Sequence, residues 1–168
     1  MAIKKRYIDN PMLKIMQTKD RLHSEKGMDF IIRELCSKEL VPDAKYRQNH
    51  TKTTVSQEND PFMPPFFDQE VILRNFTPKL RLMYNKFPIV SYHLLIVTKE
   101  FEQQTKKLDK HDFEGALIAM EALGDGVTYM NCGHDAGASQ PHKHLQCIPE
   151  SEMRLTNGRL PLSLAIEN

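Results

Sequence analysis

Residues 131–147 read Asn-Cys-Gly-His-Asp-Ala-Gly-Ala-Ser-Gln-Pro-His-Lys-His-Leu-Gln-Cys. The second half of this stretch is a His-x-His-x-Gln pattern, with a polar residue at every other position. Side chains alternate between the two faces of an extended strand, so His142, His144 and Gln146 should share one face. Alternate residues of a strand lie ~6.7 Å apart, so these three side chains could line a site for one phosphate group.

The residues just before this strand are mostly small. Between Gly133 and Ser139 the chain is rich in glycine and alanine. Such residues let backbone N–H groups approach an anion that larger side chains would keep away. A small-residue loop that leads into a two-histidine strand therefore favours chemistry on a phosphate.

Two other interpretations remain open for the same pattern. A His-x-His pair also occurs as a pair of metal ligands, and many histidines are only structural. A zinc site would need a third ligand, and no Cys or His stands at a recognisable ligand spacing. Phosphate chemistry is the favoured interpretation, ahead of metal binding and of a structural role.

Composition predicts one soluble globular domain. The chain has 168 residues, of which 40% are hydrophobic and 27% charged, with a formal net charge of +1. A chain of this length can bury a substantial core. Because the charge is almost balanced, no global field attracts nucleic acid or a membrane surface, and any bound anion must be held by a local site.

The cysteines and the N-terminus indicate an intracellular protein. Cys36, Cys132 and Cys147 form no C-x-x-C pair, and the basic N-terminus is followed by no apolar signal segment. No apolar run approaches the ~18 residues that a membrane span needs. We therefore expect reduced thiols and a location in the cytoplasm, with the nucleus as a second compartment.

Hydrophobic periodicity predicts helices in the N-terminal part and strands after it. Residues 11–22 and Met28–Leu40 are predicted helices, the second because its apolar residues recur at i, i+1, i+4 and i+5. Four prolines and many polar residues predict a long irregular connection over Val41–Gln69.

Later segments alternate apolar strands with one helix. The predicted strands are Glu70–Phe76, Leu80–Tyr84, Ile89–Thr98, Val127–Asn131 and the motif strand. The predicted helix, Leu108–Leu123, has Asp109 as a cap and a core stripe of Ala116, Leu117, Met120 and Leu123. This order predicts an α+β fold with a mostly antiparallel sheet and flanking helices.

The motif also resembles a known family. Asn-Cys-Gly at 131–133 and Gly-Ala-Ser-Gln-Pro-His-Lys-His-Leu-Gln at 137–146 resemble the signature of the diadenosine tetraphosphate phosphorylases. These enzymes are also called ATP adenylyltransferases and are a branch of the histidine-triad superfamily. Residues 85–88 and 93–100 support the resemblance, and residues 60–66 support it more weakly. The similarity covers about 60–149 and implies a histidine-triad-like fold.

The resemblance also implies a domain organisation. Residues 1–168 are expected to form a single catalytic domain that corresponds to the N-terminal portion of the family. Family chains are longer, so we expect the C-terminal region of the family to be absent and the activity to be impaired if that region contributes to the site.

The resemblance assigns roles along the motif strand. His144 is the expected nucleophile, which forms a covalent adenylyl-histidine from diadenosine tetraphosphate and releases ATP; inorganic phosphate then yields ADP. His142 would hold the orientation and tautomer of His144. Gln146 can donate to a phosphate oxygen but cannot serve as an acid or base near neutral pH. A glutamine in this place, where hydrolytic relatives carry a third histidine, resembles the transferase branch.

A larger set of residues is expected to bind the substrate. Ser139 and Gln140, with the backbone N–H groups of Gly137 and Ala138, would hold non-bridging phosphate oxygens. By resemblance Asn85 contacts the ribose, although a turn-forming asparagine explains the same residue equally well. The predicted substrate-binding residues are Asn85, Asn131, Gly133, Gly137, Ala138, Ser139 and Gln140, with Lys45 and Lys52 as weaker candidates for phosphate contacts. For each of these lysines a solvated surface position is the favoured alternative. His93 is expected to be a satisfied core histidine, and support of the nucleophile is the other interpretation.

The implied partners are adenine nucleotides, dinucleoside polyphosphates and inorganic phosphate, with no nucleic acid and no membrane. No metal is required by the covalent steps, and Mg²⁺ is left open as a companion of the polyphosphate. One alternative is a histidine-triad hydrolase that transfers the nucleotidyl group to water. A second is a catalytically weak nucleotide-binding remnant. The sequence does not determine the oligomeric state.

Overall fold

The computed structural model describes residues 2–11, 13–36, 60–66, 71–75, 77–153, 158 and 160. In chain order the elements are α1 (Ala2–Ile8), β1 (Thr18–Glu25), β2 (Met28–Leu35), β3 (Ile72–Asn75), β4 (Leu80–Tyr84), β5 (Leu94–Thr98), α2 (Lys110–Leu123), β6 (Val127–Tyr129) and β7 (His144–Ile148). Short 3-10 helices follow β6 and β7, at His134–Ala136 and Glu150–Glu152.

Seven strands form two sheets in the described part of the chain. The larger sheet has the order β3-β4-β5-β7-β6, and every neighbouring pair is antiparallel. β1 and β2 form a separate antiparallel hairpin. The predicted α+β fold with a mostly antiparallel sheet is confirmed. β4 and β5 are buried at every position, as expected for the centre of a core.

The helix α2 has the predicted cap and the predicted end, and it begins two residues after the predicted start at Leu108. The Asp109 carboxylate accepts from the backbone N–H groups of His111 and Asp112, and the Asp112 carboxylate accepts from the N–H of Asp109. This capping box satisfies donors that a helix start leaves unpaired. Gly124 ends the helix with a left-handed φ of 86°.

The predicted core stripe of α2 is wrong at one position. Leu117 is 65% exposed, whereas Ala116, Ala119 and Leu123 are buried. The inward face of the helix consists of the buried Asp112, Gly115, Ala116, Ala119 and Leu123, and its small residues let the backbone lie close to the sheet. Leu117 lies about a quarter-turn away from this face, since each helical residue advances by ~100°.

The N-terminal prediction is also wrong, because residues 11–22 and 28–40 are not helices where they are described. They contribute instead β1 and β2, which are joined by a two-residue turn. Lys26 and Gly27 both have positive φ, 52° and 79°, which is the combination that a tight hairpin turn requires. The first helix, α1, lies further upstream. Residues 37–40 of the second predicted helix lie outside the described residues.

Of the predicted irregular connection Val41–Gln69, only 60–66 are among the described residues, and they contain turns and bends. Within the described ranges, the helices are too short or too polar to cross a membrane.

Candidate active site

The motif strand β7 and the residues just before it present different chemistry on their two faces. Lys143 extends towards α2, where its Nζ lies 2.5 Å from the Asp112 carboxylate. His142 and His144 lie on the opposite side, where both rings contact the ring of Phe62 at centroid distances of 5.7 and 5.2 Å. The alternation predicted for the strand is therefore present in the structure.

His142 is fully buried, and both of its ring nitrogens have protein partners. Its Nδ1 lies 2.6 Å from Oδ2 of Asp60, which is 82 residues earlier in the chain. Its Nε2 lies 2.9 Å from both the hydroxyl and the carbonyl oxygen of Thr98. A carbonyl oxygen only accepts, so Nε2 carries a hydrogen. These contacts fix the ring, and with it the backbone carbonyl on which His144 depends.

His144 has the tautomer that a nucleophile needs. Its Nδ1 lies 2.8 Å from the carbonyl oxygen of His142, and it must donate because that oxygen only accepts. The lone pair of a neutral ring is then on Nε2. Burial lowers the pKa of His144 below its ordinary value, as does the nearby His142, while the hydrogen bond to the His142 carbonyl partly offsets them. The ring is therefore neutral near pH 7.

A second histidine lies on the same side of the sheet. His93 is 4% exposed, and burial lowers its pKa to about 4 while an interaction with Gln146 opposes the shift. The Asn85 carboxamide accepts from the N–H of Phe87 through Oδ1, so its NH₂ group donates to Nδ1 of His93 at 3.2 Å. His93 therefore carries its hydrogen on Nε2, which is buried without a hydrogen-bond partner within the described ranges.

Gln146 is held from the neighbouring strand. The hydroxyl of Tyr129, its partner in the β6–β7 register, donates to Oε1 of Gln146 at 3.2 Å. This contact directs the oxygen of the carboxamide towards Tyr129. The NH₂ group of Gln146, which is its donor, can then reach a phosphate oxygen.

The loop between β6 and β7 is closed by its own polar groups. Nδ2 of Asn131 donates to the carbonyl of Ala136 at 2.8 Å, and the N–H of Ala138 donates to the carbonyl of Gly133 at 3.1 Å. The Ala138 N–H is thus used inside the loop, although the sequence suggested it as a donor to phosphate. Gly137 has a φ of 85°, and an added Cβ would lie 3.2 Å from Nδ2 of Asn131, so the turn requires glycine.

The predicted site residues fall into three groups. The structure brings His142, His144 and Gln146 to one face, and Asn85 joins them through His93. Asn131, Gly133, Gly137, Ala138, Ser139 and Gln140 form the adjoining loop and the approach to β7, with Ser139 exposed and Gln140 buried. Lys45 and Lys52 lie outside the described residues.

The geometry does not favour the metal-binding interpretation of His-x-His. Both nitrogens of His142 and the Nδ1 of His144 already contact protein oxygens. In the part of the chain that the structure describes, no group of three or more His, Cys, Asp and Glu side chains could hold a metal ion.

Sequence reasoning missed four residues that build the site. Asp60 and Phe62 lie in residues 60–66, the weakest part of the family resemblance, to which the sequence assigns no role. Their contacts with the two histidines depend on long-range folding. Thr98 stands at the end of a strand that was identified only as core. Gln104 bonds to the backbone of His144, and no sequence pattern singled it out.

Comparison with known proteins identifies the family of this chain. The sequence model of the Ap4A phosphorylase N-terminal domain matches residues 3–168. Diadenosine 5',5'''-P1,P4-tetraphosphate phosphorylase 2 of Saccharomyces cerevisiae is 34% identical over 126 residues, which are 67% of this chain and 38% of the relative. Protein APA1 of the same yeast is 34% identical over 91 residues, 47% of this chain and 28% of the relative.

The fold is similar to that of a solved relative. The crystal structure of yeast Ap4A phosphorylase Apa2 in complex with AMP has a TM-score of 0.67 and 25% identity, and it covers 92% of this chain. This chain spans 52% of that structure and less than half of the two yeast sequences. The match over nearly the whole of its length shows that the chain belongs to the Ap4A phosphorylase N-terminal domain family.

Proposed function

We propose that this chain carries the nucleotidyl-transfer site of a diadenosine tetraphosphate phosphorylase, which converts diadenosine tetraphosphate and inorganic phosphate into ATP and ADP. The observation that carries the proposal is the state of His144. Its buried ring donates from Nδ1 to the His142 carbonyl and presents Nε2 as an unprotonated nucleophile. The names of the yeast relatives, and the structure of one of them with Ap4A, support this substrate class.

In the first step Nε2 of His144 attacks an α-phosphorus of the dinucleotide. The N–P bond forms as the bond between that phosphorus and its bridging oxygen breaks, and ATP leaves with the bonding electrons. A neutral nucleophile avoids the repulsion that an anion would meet from the polyphosphate. The ring keeps its hydrogen on Nδ1, so the positive charge that develops is stabilised by the His142 carbonyl.

In the second step an oxygen of inorganic phosphate attacks the same phosphorus. The N–P bond breaks, the electron pair returns to Nε2, and ADP is released with a proton from the phosphate. In both steps the NH₂ group of Gln146 can donate to a non-bridging oxygen as negative charge develops there. The site is then ready for another dinucleotide.

The test is a product assay with this chain, diadenosine tetraphosphate, and either no phosphate or an excess of it. We expect continuous formation of ATP and ADP only when phosphate is present; without it, each chain should release one ATP and keep one covalent adenylyl group, seen by intact-mass spectrometry. His144→Asn should abolish both, a loss of at least ~1,000-fold for removal of a nucleophile. His23→Asn, in the exposed hairpin, is the matched control and should keep full activity.

The same assay distinguishes the alternatives. ATP and AMP without phosphate would identify a hydrolase that transfers the nucleotidyl group to water. Binding of AMP by calorimetry, with neither products nor adduct, would indicate a nucleotide-binding remnant and would contradict the proposal.

A further inference from the structure

The strand β6 leaves the sheet just before it would reach the nucleophile. Its register with β7 pairs Val127 with Ile148, Thr128 with Cys147 and Tyr129 with Gln146. Continued by two residues, this register would place Asn131 opposite His144. The ladder ends at Tyr129, however, because the chain turns away to form the loop that follows. The main chain of His144 therefore needs another partner on this side.

The side chain of Gln104 supplies this partner. Its Oε1 accepts from the N–H of His144 at 2.7 Å, while its NH₂ group donates to the carbonyls of His144 and Asn131 at 3.0 and 2.8 Å. The carboxamide thus uses its oxygen and both of its hydrogens, and it gives the main chain of His144 the acceptor and the donor that a neighbouring strand would supply. Gln104 is 2% exposed, so water does not compete for these bonds.

The backbone around Gln104 is held against the same strand. The N–H of Gln104 donates to the carbonyl of Pro141, and the N–H of Lys143 donates to the carbonyl of Glu102, both at 2.7 Å. Between them Gln103 forms an antiparallel bridge with His142. The carboxamide of Gln104 is therefore attached to a fixed main chain, so it can hold the backbones of His144 and Asn131 at a set distance from each other.

We propose that Gln104 is a positioning residue for the transfer reaction. It acts through the backbone of His144, which it fixes relative to Asn131, two residues before the small-residue loop. The ring of His144 and the loop must approach the same phosphorus from different elements, and Gln104 is the link that sets their separation. This role rests on the proposed function.

A positioning role predicts a specific kinetic result. Gln104→Met keeps the length of the side chain and removes its three hydrogen bonds. We expect kcat to fall ~10- to 100-fold, because displacements of about 1 Å in a catalytic group can reduce the rate by such factors. KM should change by less than about threefold, because contacts that bind substrate and transition state equally are retained.

The chain offers a matched control one residue away. Gln103 is exposed, and only its backbone takes part in the bridge, so Gln103→Met should keep wild-type kcat and KM. Gln104→Glu is the second variant, since it keeps the acceptor for the His144 N–H and loses donors; it tests the proposal if Gln104→Met does not fold. Unchanged kcat in a folded Gln104 variant would overturn the positioning role, as would losses that simply follow a lower melting temperature.

A second measurement separates this inference from the proposed function. Amide hydrogen exchange by NMR reads the His144 N–H whether or not the chain turns over substrate. Exchange should be at least ~10-fold faster in a folded Gln104→Met than in wild type or Gln103→Met, because a hydrogen-bonded buried amide exchanges only on local opening. An inactive wild type with this difference refutes only the proposed function, whereas equal exchange rates refute the role of Gln104.

Discussion

The hairpin β1–β2 and the motif strand β7 are both antiparallel structures with polar side chains, yet they are held in different ways. Around β7, buried groups from four distant segments contact consecutive residues 142–144. In the hairpin, nearly every position of β1 is exposed. The bond from Arg33 to the Glu152 carbonyl is one of its links to the rest of the chain. Ion pairs of the same kind should therefore contribute very different amounts to the free energy of unfolding in the two regions.

The largest effect is expected for the buried ion pair next to His144. Lys143 and Asp112 are 1% and 2% exposed, so Lys143→Met leaves a buried carboxylate without its cation. Breaking such a pair typically costs ~3–5 kcal/mol of unfolding free energy. The measurement is urea unfolding of the wild type and the variant.

A double variant is the control for this prediction. Asp112→Asn keeps an acceptor for the N–H of Asp109 and removes the negative charge. Combined with Lys143→Met, it should recover most of the lost stability. Equal losses in the single and double variants would show that packing of the lysine stem, not the charge, is what matters.

The next effect is a dependence of stability on pH that originates in His93. Its pKa is about 4 in the folded protein and 6.5 in the unfolded chain, so the unfolded chain binds the extra proton first. Above pH 6.5 the ring of His93 is neutral in both states and does not lower the free energy of unfolding. As the pH falls towards 4, protonation of the unfolded chain lowers this free energy by up to ~3 kcal/mol. Urea unfolding at several pH values measures the loss, and His93→Gln should flatten the curve. An imidazole resonance of His93 that titrates near 6.5 in the folded protein would refute the assignment.

The smallest effect is expected in the hairpin. Arg21 and Glu34 form an ion pair at 3.3 Å, but both side chains are more than half exposed. Exposed pairs contribute only ~0–1 kcal/mol, so Glu34→Gln should change the unfolding free energy by about 0.5 kcal/mol or less. The difference between the losses of unfolding free energy in Lys143→Met and in Glu34→Gln measures the contrast between the two regions. A loss above ~1 kcal/mol would mean that the pair is desolvated in solution.

The same contrast explains what the sequence could predict. The alternation along β7 and the capping signals of α2 are local, and both predictions were correct. The helix predicted over Met28–Leu40 is wrong where the structure shows β2, because Ile31, Ile32 and Leu35 suit a helix face and a short apolar run does not distinguish helix from strand. The decisive feature was the turn at Lys26 and Gly27, whose positive φ values pair the flanking strands.

The supporting residues of the site could not be predicted in this way. Asp60 reaches His142 across 82 residues, and Gln104 matters only because β6 departs from the sheet where it does. Such contacts depend on tertiary geometry, and a polar residue in an irregular segment gives no local indication of them. The proposed nucleophile, His144, belongs to a local motif, whereas the residues that orient it are dispersed along the chain.

The alternation along β7 also has a genetic consequence. A strand that slips by one residue exchanges its faces, so a one-codon deletion of His142 would turn Lys143 towards Asp60 and His144 towards Asp112. A two-codon change would restore the faces but displace the nucleophile by ~6.7 Å. In-frame length changes at this point should therefore behave as loss-of-function alleles, whereas length changes in the exposed hairpin, which leave the positions of His142 and His144 unchanged, should be tolerated far better.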